Sequence, residues 1–172
     1  ENGEFKEEVT DLKDVWQDDF VTFVIGCSFS FEKAMIEAGI PVRHIEDEHN
    51  VPMYITNIEC ESAGSFHGNM VVSMRPIPYE DVVRASTVTA RFPATHGAPI
   101  HIGNPEVIGI KDIDNPDFGE RSDFKEGEVP VFWACGVTPQ AVAMASKPEI
   151  MITHAPGHML ILDKKDAYVS VF

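Results

Sequence analysis

Two turns in the sequence place a cysteine and a hydroxyl side chain directly before a predicted helix. The first contains Cys27, Ser28 and Ser30, and the second contains Cys135, Gly136 and Thr138. A helix N-terminus offers unpaired backbone N–H groups and a positive dipole end, which favour bound carboxylates and stabilise a thiolate. We interpret both turns as candidate substrate-binding sites and both cysteines as candidate catalytic thiols. The alternative is that each cysteine is a small buried residue that closes a strand.

A Pro–Gly turn near the end of the chain is bracketed by two histidines, His154 and His158. The intervening Pro156 and Gly157 prevent a helix, so this is not the helical spacing of a zinc-binding pair. Imidazoles held on a rigid turn can act as acid and base near neutral pH. Both histidines are therefore candidate catalytic residues, and a hydrogen-bonded structural turn is the alternative.

A loop punctuated by Gly and Pro carries Arg91, His96 and His101, and Arg75 stands beside a proline in an earlier apolar stretch. Loops on a rigid scaffold often carry function, and the guanidinium fork binds carboxylates bidentately. We therefore add these four residues to the candidate substrate-binding set. Structural ion pairing is the alternative for the two arginines.

His44 and His49 flank a short acidic stretch at 46–48, a combination that could hold a divalent cation. A solvated acidic connection is the favoured interpretation, so the sequence leaves a metal ion open and indicates no certain cofactor. Neither strand-to-helix turn matches a phosphate-binding glycine motif, which argues against a nucleotide.

The elements that must position these residues follow a strand–turn–helix pattern. Apolar, β-branched runs predict buried strands at 20–26, 131–134, 150–153 and 159–162, with helices at 31–38 and 140–147 between them. Strand, helix and strand in this order predict an α/β fold, with a mainly parallel core sheet and helices on both faces. The middle of the chain predicts a smaller α+β lobe, so we divide the chain into a core of 1–50 and 128–172 and an inserted lobe of 51–127.

The amino-acid composition limits the classes of partner that the protein can bind. The 172 residues include 13 Lys and Arg against 28 Asp and Glu, a formal net charge of −15. Such a surface repels nucleic acid and anionic lipid, and no apolar run approaches the ~18 residues of a membrane helix. Three cysteines without a C-x-x-C pair predict free thiols and a reducing, cytoplasmic location. A small carboxylate substrate fits these features, and a homo-oligomer is left open.

Several stretches together resemble one family, the D-glutamate cyclases, whose bacterial members carry the label hydro-lyase. The resemblance covers residues 10–163 and rests on the following segments: Phe23–Glu32, Gly39–His44, Asn50–Tyr54, Val71–Pro76, Arg91–Pro93, His96–Pro99, Pro130–Gln140 and Thr153–Met159. It implies an α/β protein with a second α+β lobe, and a further N-terminal stretch that this chain lacks.

The resemblance also implies an activity, the dehydration of D-glutamate to 5-oxo-D-proline. Cyclisation needs a neutral amine, an acid that helps water to leave, and a clamp for the α-carboxylate. A histidine of the 154–158 turn could be the acid or base, and Arg75 or Arg91 with the two helix N-termini could form the clamp. A hydro-lyase for a different hydroxy or amino acid and a non-catalytic carboxylate-binding protein remain the alternatives.

Overall fold

A four-stranded antiparallel sheet is the centre of the computed structural model, which describes residues 1–171. Its strands are β1 (Met53–Glu59), β2 (Asn69–Pro78), β3 (His101–Ile102) and β4 (Glu128–Ala134), in the spatial order β1–β2–β4–β3. Every neighbouring pair is antiparallel. The long strand β2 lies in the interior of the sheet and is buried over most of its length, which places its side chains at the centre of the molecule.

Within residues 1–171, four α-helices accompany the sheet. They are α1 (Phe29–Glu37), α2 (Arg43–Glu46), α3 (Val82–Ala90) and α4 (Thr138–Ser146). Short 3-10 segments occupy Tyr79–Asp81, Pro93–Thr95, Pro105–Ile108 and Asp166–Val169. Gly39 follows α1 with a φ of +75°, a conformation that glycine adopts without strain, and Pro139 lies in the first turn of α4. The helices predicted after both cysteine turns are therefore confirmed.

Alternating side chains of the sheet enter two different cores. On one face, Ile77 and Trp133 pack with Phe31 and Met35 of α1. On the other face, Met74 and its neighbours pack beneath the 105–113 segment, with Val72, Phe132, Ile108 and Ile110. The helices that pack on the sheet thus cover one face of it, and an irregular loop covers the other.

The predicted mainly parallel core sheet with helices on both faces is wrong. The sheet is antiparallel, and β4, predicted as a parallel core strand, pairs with β2 and β3 from the middle of the chain. The runs 20–26, 150–153 and 159–162, predicted as its partners, have no regular secondary structure. An apolar run covered on both faces looks the same in a parallel and in an interior antiparallel strand, so the pattern did not specify the partner.

The division into a core of 1–50 and 128–172 and an inserted lobe of 51–127 stays a prediction, and its last residue, Phe172, lies outside the described residues. Across residues 1–171, no helix has the length and apolar character that crossing a membrane requires.

Gly26 packs against the backbone of the 94–95 turn and offers a test of this arrangement. A Cβ at Gly26 would lie 2.0 Å from the carbonyl oxygen of Ala94, whereas a Cβ at Gly136 meets nothing closer than 3.6 Å. We expect Gly26→Ala to lower the free energy of unfolding by about 1–3 kcal/mol, because backbone must move to make room. Gly136→Ala is the matched control and should change it little. Urea unfolding measures both, and equal stability of the two variants would contradict the packing.

Candidate functional site

A cavity of about 410 Å³ opens beside α1, within the size range of small-ligand pockets. Its walls come from α1, the 44–50 segment and the turn at 156–158; the lining residues are Phe29, Glu32, His44, Ile45, His49, Asn50, Pro156, Gly157 and His158. Asn50 ties two of these walls together, because its Nδ2 donates to the carbonyl oxygen of Pro156 at 3.3 Å. Gly157 permits this approach, since a Cβ there would collide with the Asn50 side chain.

Glu32 and His44 contact each other in the cavity wall. The Nε2 of His44 lies 3.1 Å from Glu32 Oε1, and both side chains are more than nine-tenths buried. The ring of Phe29 stacks on His44 at a centroid distance of 5.8 Å. With Nε2–H donating to the carboxylate, Nδ1 of His44 keeps its lone pair, the tautomer of a general base.

Arg75 stands behind this pair and is completely buried. Its Nε donates to Glu32 Oε1 at 2.9 Å and its Nη2 contacts the same oxygen. Its remaining donors reach Ser73 Oγ at 3.1 Å and Ser28 Oγ at 3.2 Å. Phe31 and Trp133 flank the guanidinium at 5.2 and 5.4 Å. Arg75 is therefore committed to Glu32 and does not line the cavity.

The balance of charges keeps Glu32 ionised. Burial by itself would raise the pKa of this carboxyl group, but the Arg75 guanidinium and the His44 ring together hold the pKa below its ordinary value of 4.5. An ionised Glu32 fixes the orientation and tautomer of His44, as the carboxylate does in other carboxylate–imidazole pairs. The three residues form a relay, Arg75–Glu32–His44, that ends in the cavity.

One of the two predicted histidines of the 154–158 turn reaches the same cavity. His158 lines the cavity, and its Nδ1 lies 3.2 Å from the carbonyl oxygen of Pro156. His154 is a neighbour: burial and the nearby His158 lower the pKa of its ring, and its carbonyl oxygen accepts from Gln140. Two imidazoles from distant parts of the chain, His44 and His158, thus face one cavity.

The two predicted cysteine turns lie close to each other and form a second cluster. Burial raises the pKa of the Cys27 thiol and raises that of Cys135 to about 11. Backbone N–H groups at the helix starts, from Phe29 and Val137, bond towards these sulfurs. Both thiols are therefore protonated at neutral pH.

His96 completes this cluster. Its Nε2 is buried and has no partner within residues 1–171, and it lies 3.8 Å from where a Cβ of Gly136 would be. Burial, opposed by a hydrogen bond with the Gly26 backbone, lowers the pKa of the ring. The cluster therefore holds neutral groups at pH 7, in contrast to the charged relay beside it.

The raised pKa of Cys135 predicts slow alkylation. At pH 8 a thiol with a pKa of about 11 holds about 100-fold less thiolate than one at the ordinary value of 9.0. We expect iodoacetamide to label Cys135 at least about 100-fold more slowly in the folded protein than in urea. Peptide mass spectrometry measures the rates, with the partly exposed Cys60 as the internal reference. Equal rates for Cys135 in the two states would contradict its burial.

The other predicted site residues lie outside the cavity. Ser28 lies at the N-cap position of α1, where its Oγ makes no capping bond and accepts from Arg75 instead. Ser30 lies in the first turn of α1, and Thr138 Oγ1 bonds to the backbone of Val71 and Cys135. His101 contacts Phe132 on the loop-covered face of the sheet, and its Nε2 lies 2.7 Å from the carbonyl oxygen of Asn104. Arg91 is exposed at the end of α3. The structure therefore brings His158 to the cavity and Arg75 and Ser28 to the layer behind it.

A second cavity of about 350 Å³ adjoins the first, since His49 lines both. Its other lining residues are Arg43, Asp47, Arg121, Asp123 and Lys125. Carboxylates already pair with two of these cations: Arg43 with Glu46 and Glu128, and Arg121 with Asp114 and Asp123. Across residues 1–171, no group of three or more His, Cys, Asp or Glu side chains is arranged to hold a metal ion.

Comparison with known proteins places this chain in a family. A family model described as D-glutamate cyclase matches residues 21–163. The chain belongs to the D-glutamate cyclase family. Among curated relatives, a protein of Psychrobacter arcticus named "Putative hydro-lyase" is 68% identical over 99% of the chain. A similarly named protein of Thermoanaerobacter sp. is 68% identical over 95%, and one of Geobacillus kaustophilus 65% over 99%. The chain spans 62–65% of the length of these relatives.

Proposed function

We propose that this member of the D-glutamate cyclase family is a lyase that removes water from a small amino acid, and that its substrate is D-glutamate. Family membership supports the lyase class. The observation that carries the proposal is the buried Arg75–Glu32–His44 relay, which ends in a ligand-sized cavity that also holds His158. Such a pair of imidazoles supplies the base and the acid that cyclisation requires.

The reaction can be written with these groups. Nδ1 of His44 takes a proton from the substrate ammonium, and the free amine attacks the side-chain carboxyl carbon. A C–N bond forms, and a C–O bond of the carboxyl group breaks. His158 in its protonated form gives one proton to the departing oxygen, and the nitrogen gives up its second proton to the same oxygen as it becomes the amide, so that one water leaves with each 5-oxo-D-proline. A proton then returns from His44 to His158 and restores both residues. The ionised Glu32 stabilises the imidazolium that His44 becomes.

The cavity can accept an anion although the chain carries a net charge of −15. Glu32 is the one carboxylate in its lining, and Arg75 neutralises it from behind. The other titratable lining groups are His44, His49 and His158, which are neutral or positive. A substrate carboxylate therefore meets no uncompensated negative charge there, and the overall acidity of the surface does not oppose its binding inside.

An assay on a panel of small acids tests the proposal. The chain and the full-length Psychrobacter arcticus relative are incubated with D-glutamate, L-glutamate, D-aspartate and 2-hydroxyglutarate, and loss of one water is followed by chiral chromatography with mass spectrometry. We expect 5-oxo-D-proline from D-glutamate. If another acid loses water and D-glutamate does not, that acid is the substrate. If D-glutamate stabilises the fold but is not converted, the protein binds it without catalysis. A chelator titration in the same assay decides the question of a metal ion.

A further inference from the structure

We propose that two exposed apolar segments, 21–25 and 159–162, dock against the third of the family chain that this chain does not span. These docking segments are among the most apolar stretches of the sequence, yet they lie in solvent. Phe23 is 79% exposed and Ile161 is 88% exposed, and their apolar neighbours Val21, Val24, Leu160 and Leu162 are exposed as well. Each segment thus presents a run of exposed apolar side chains, and exposed apolar surface of this kind marks an interaction site.

The backbone N–H and C=O groups of the docking segments are also unpaired within residues 1–171. Within residues 1–171, no backbone hydrogen bond joins residues 21–25 or 159–162 to another part of the chain. The residues are β-branched, aromatic or aliphatic types that favour strands. A strand-forming sequence with free N–H and C=O groups is a template for pairing with another strand. The partner must therefore supply both apolar side chains and strand edges.

The length of the relatives indicates which partner this is. Both docking segments lie inside the region 21–163 that the family model matches, so they belong to the family's common fold. The curated relatives are longer, and the chain spans 62–65% of them. A second copy of this chain is a poorer partner, since two bodies of net charge −15 repel each other. The partner that we assign is therefore the remaining third of the family chain, the length by which the relatives exceed this chain.

The position of the docking segments connects them to the cavity. The first ends shortly before Phe29 and the second begins directly after His158, and both of these residues line the cavity. Within the described residues, no hydrogen bond holds the main chain at 159–162 in place. Docking would therefore fix both walls of the cavity from outside, whichever substrate the cavity takes.

Hydrogen exchange tests the proposal without reference to turnover. We compare this chain, the chain fused to the unmatched sequence of the Psychrobacter arcticus relative in that protein's own order, and the full-length relative. In the chain, amides at 21–25 and 159–162 should exchange at unprotected rates. In the fusion they should slow at least 100-fold, as should the corresponding amides of the relative. Fast exchange of these peptides in the relative would overturn the proposal even where the fusion does not fold.

Matched variants locate the contact. Val24→Asp lies in a docking segment, and Val83→Asp changes an equally exposed valine on α3. Both variants should leave the melting temperature of the chain unchanged, and only Val24→Asp should remove protection of 21–25 in the fusion. Loss of protection with Val83→Asp as well would overturn the assignment. If the amides of the docking segments are protected in the chain alone at micromolar concentration, the partner is a second copy of the chain. If they are protected only when phosphatidylcholine vesicles are added, the partner is a lipid surface. Either result would overturn the proposal.

Discussion

Replacing Arg75 with methionine is expected to lower the free energy of unfolding by about 3–5 kcal/mol, the cost of breaking a buried ion pair from one side. Arg75 is fully buried, and the Glu32 side chain is about nine-tenths buried, so the variant leaves a carboxylate with no nearby guanidinium in a low-dielectric site. Ser28 and Ser73 lose the donor that they share. Methionine has a similar length and can fill the space between Phe31 and Trp133, so the lost pairing dominates.

Urea unfolding at pH 7 measures this loss, and Arg84→Met is the matched control. Arg84 pairs with Asp81, but its side chain is 50% exposed, so that variant should lose at most about 1 kcal/mol. The double variant Glu32→Gln with Arg75→Met should regain part of the loss, because it leaves no buried charge. Equal destabilisation by Arg75→Met and Arg84→Met would show that Glu32 is not held as described.

The same pair makes stability depend on pH in the acid range. The pKa of Glu32 is lower in the folded protein than its ordinary value of 4.5. Its contribution is therefore fully present above pH 4.5 and is lost as the pH falls through the folded pKa. Arg75→Met should remove this part of the acid sensitivity, which unfolding curves between pH 3 and 7 would reveal.

Replacing His44 with glutamine is expected to reduce the turnover of D-glutamate by about 10²–10⁴-fold, the usual contribution of a general base. Glutamine can donate to Glu32 as His44 Nε2 does, and it preserves much of the packing against Phe29. It has no basic nitrogen, so the substrate ammonium would lose its proton acceptor. The loss should fall on kcat more than on KM, because the group acts in the chemical step.

His101→Gln provides the control, since His101 lies at the loop-covered face of the sheet, away from the cavity. This variant should keep the parent rate, whereas His158→Gln should resemble His44→Gln. Rates are compared in whichever of the chain and the full-length relative converts D-glutamate, with the corresponding histidines changed in the relative. Full turnover in His44→Gln would assign the base to another group.

The sequence predicted the two helices after the cysteine turns and the strand at 131–134, but it was wrong on three other strands and on the assembly of the sheet. The helices after Cys27 and Cys135 carry their own start and stop signals, so they could be placed without a structure. The sheet partners of the buried strand at 131–134 are set by contacts distant in sequence, and no periodicity encodes them. The run 20–26 was predicted as a buried strand because its residues are apolar, whereas in the structure it lies exposed.

The sequence likewise predicted some residues of the candidate site and missed others. His158 was predicted from its turn, and Arg75 was selected as a cation without a local partner. Glu32 and His44 were missed as a pair, because Glu32 follows the capped start of a helix and His44 sits in an acidic stretch, where solvation is the ordinary expectation. A signal was present: Glu32 is an acidic residue on the same helix face as the buried Met35. A carboxylate on an inward face needs a cation, and Arg75 is that cation.

A histidine-selective ¹H–¹⁵N NMR titration with D-glutamate tests the central claim most directly, because it reports binding at the cavity whether or not turnover follows. The imidazole signals of His44 and His158 should shift together and saturably, while those of His67 and His101 stay in place. Shifts confined to His67, His101 or His96, or no saturable shift at His44, would contradict the assignment of the Glu32–His44 cavity as the substrate site.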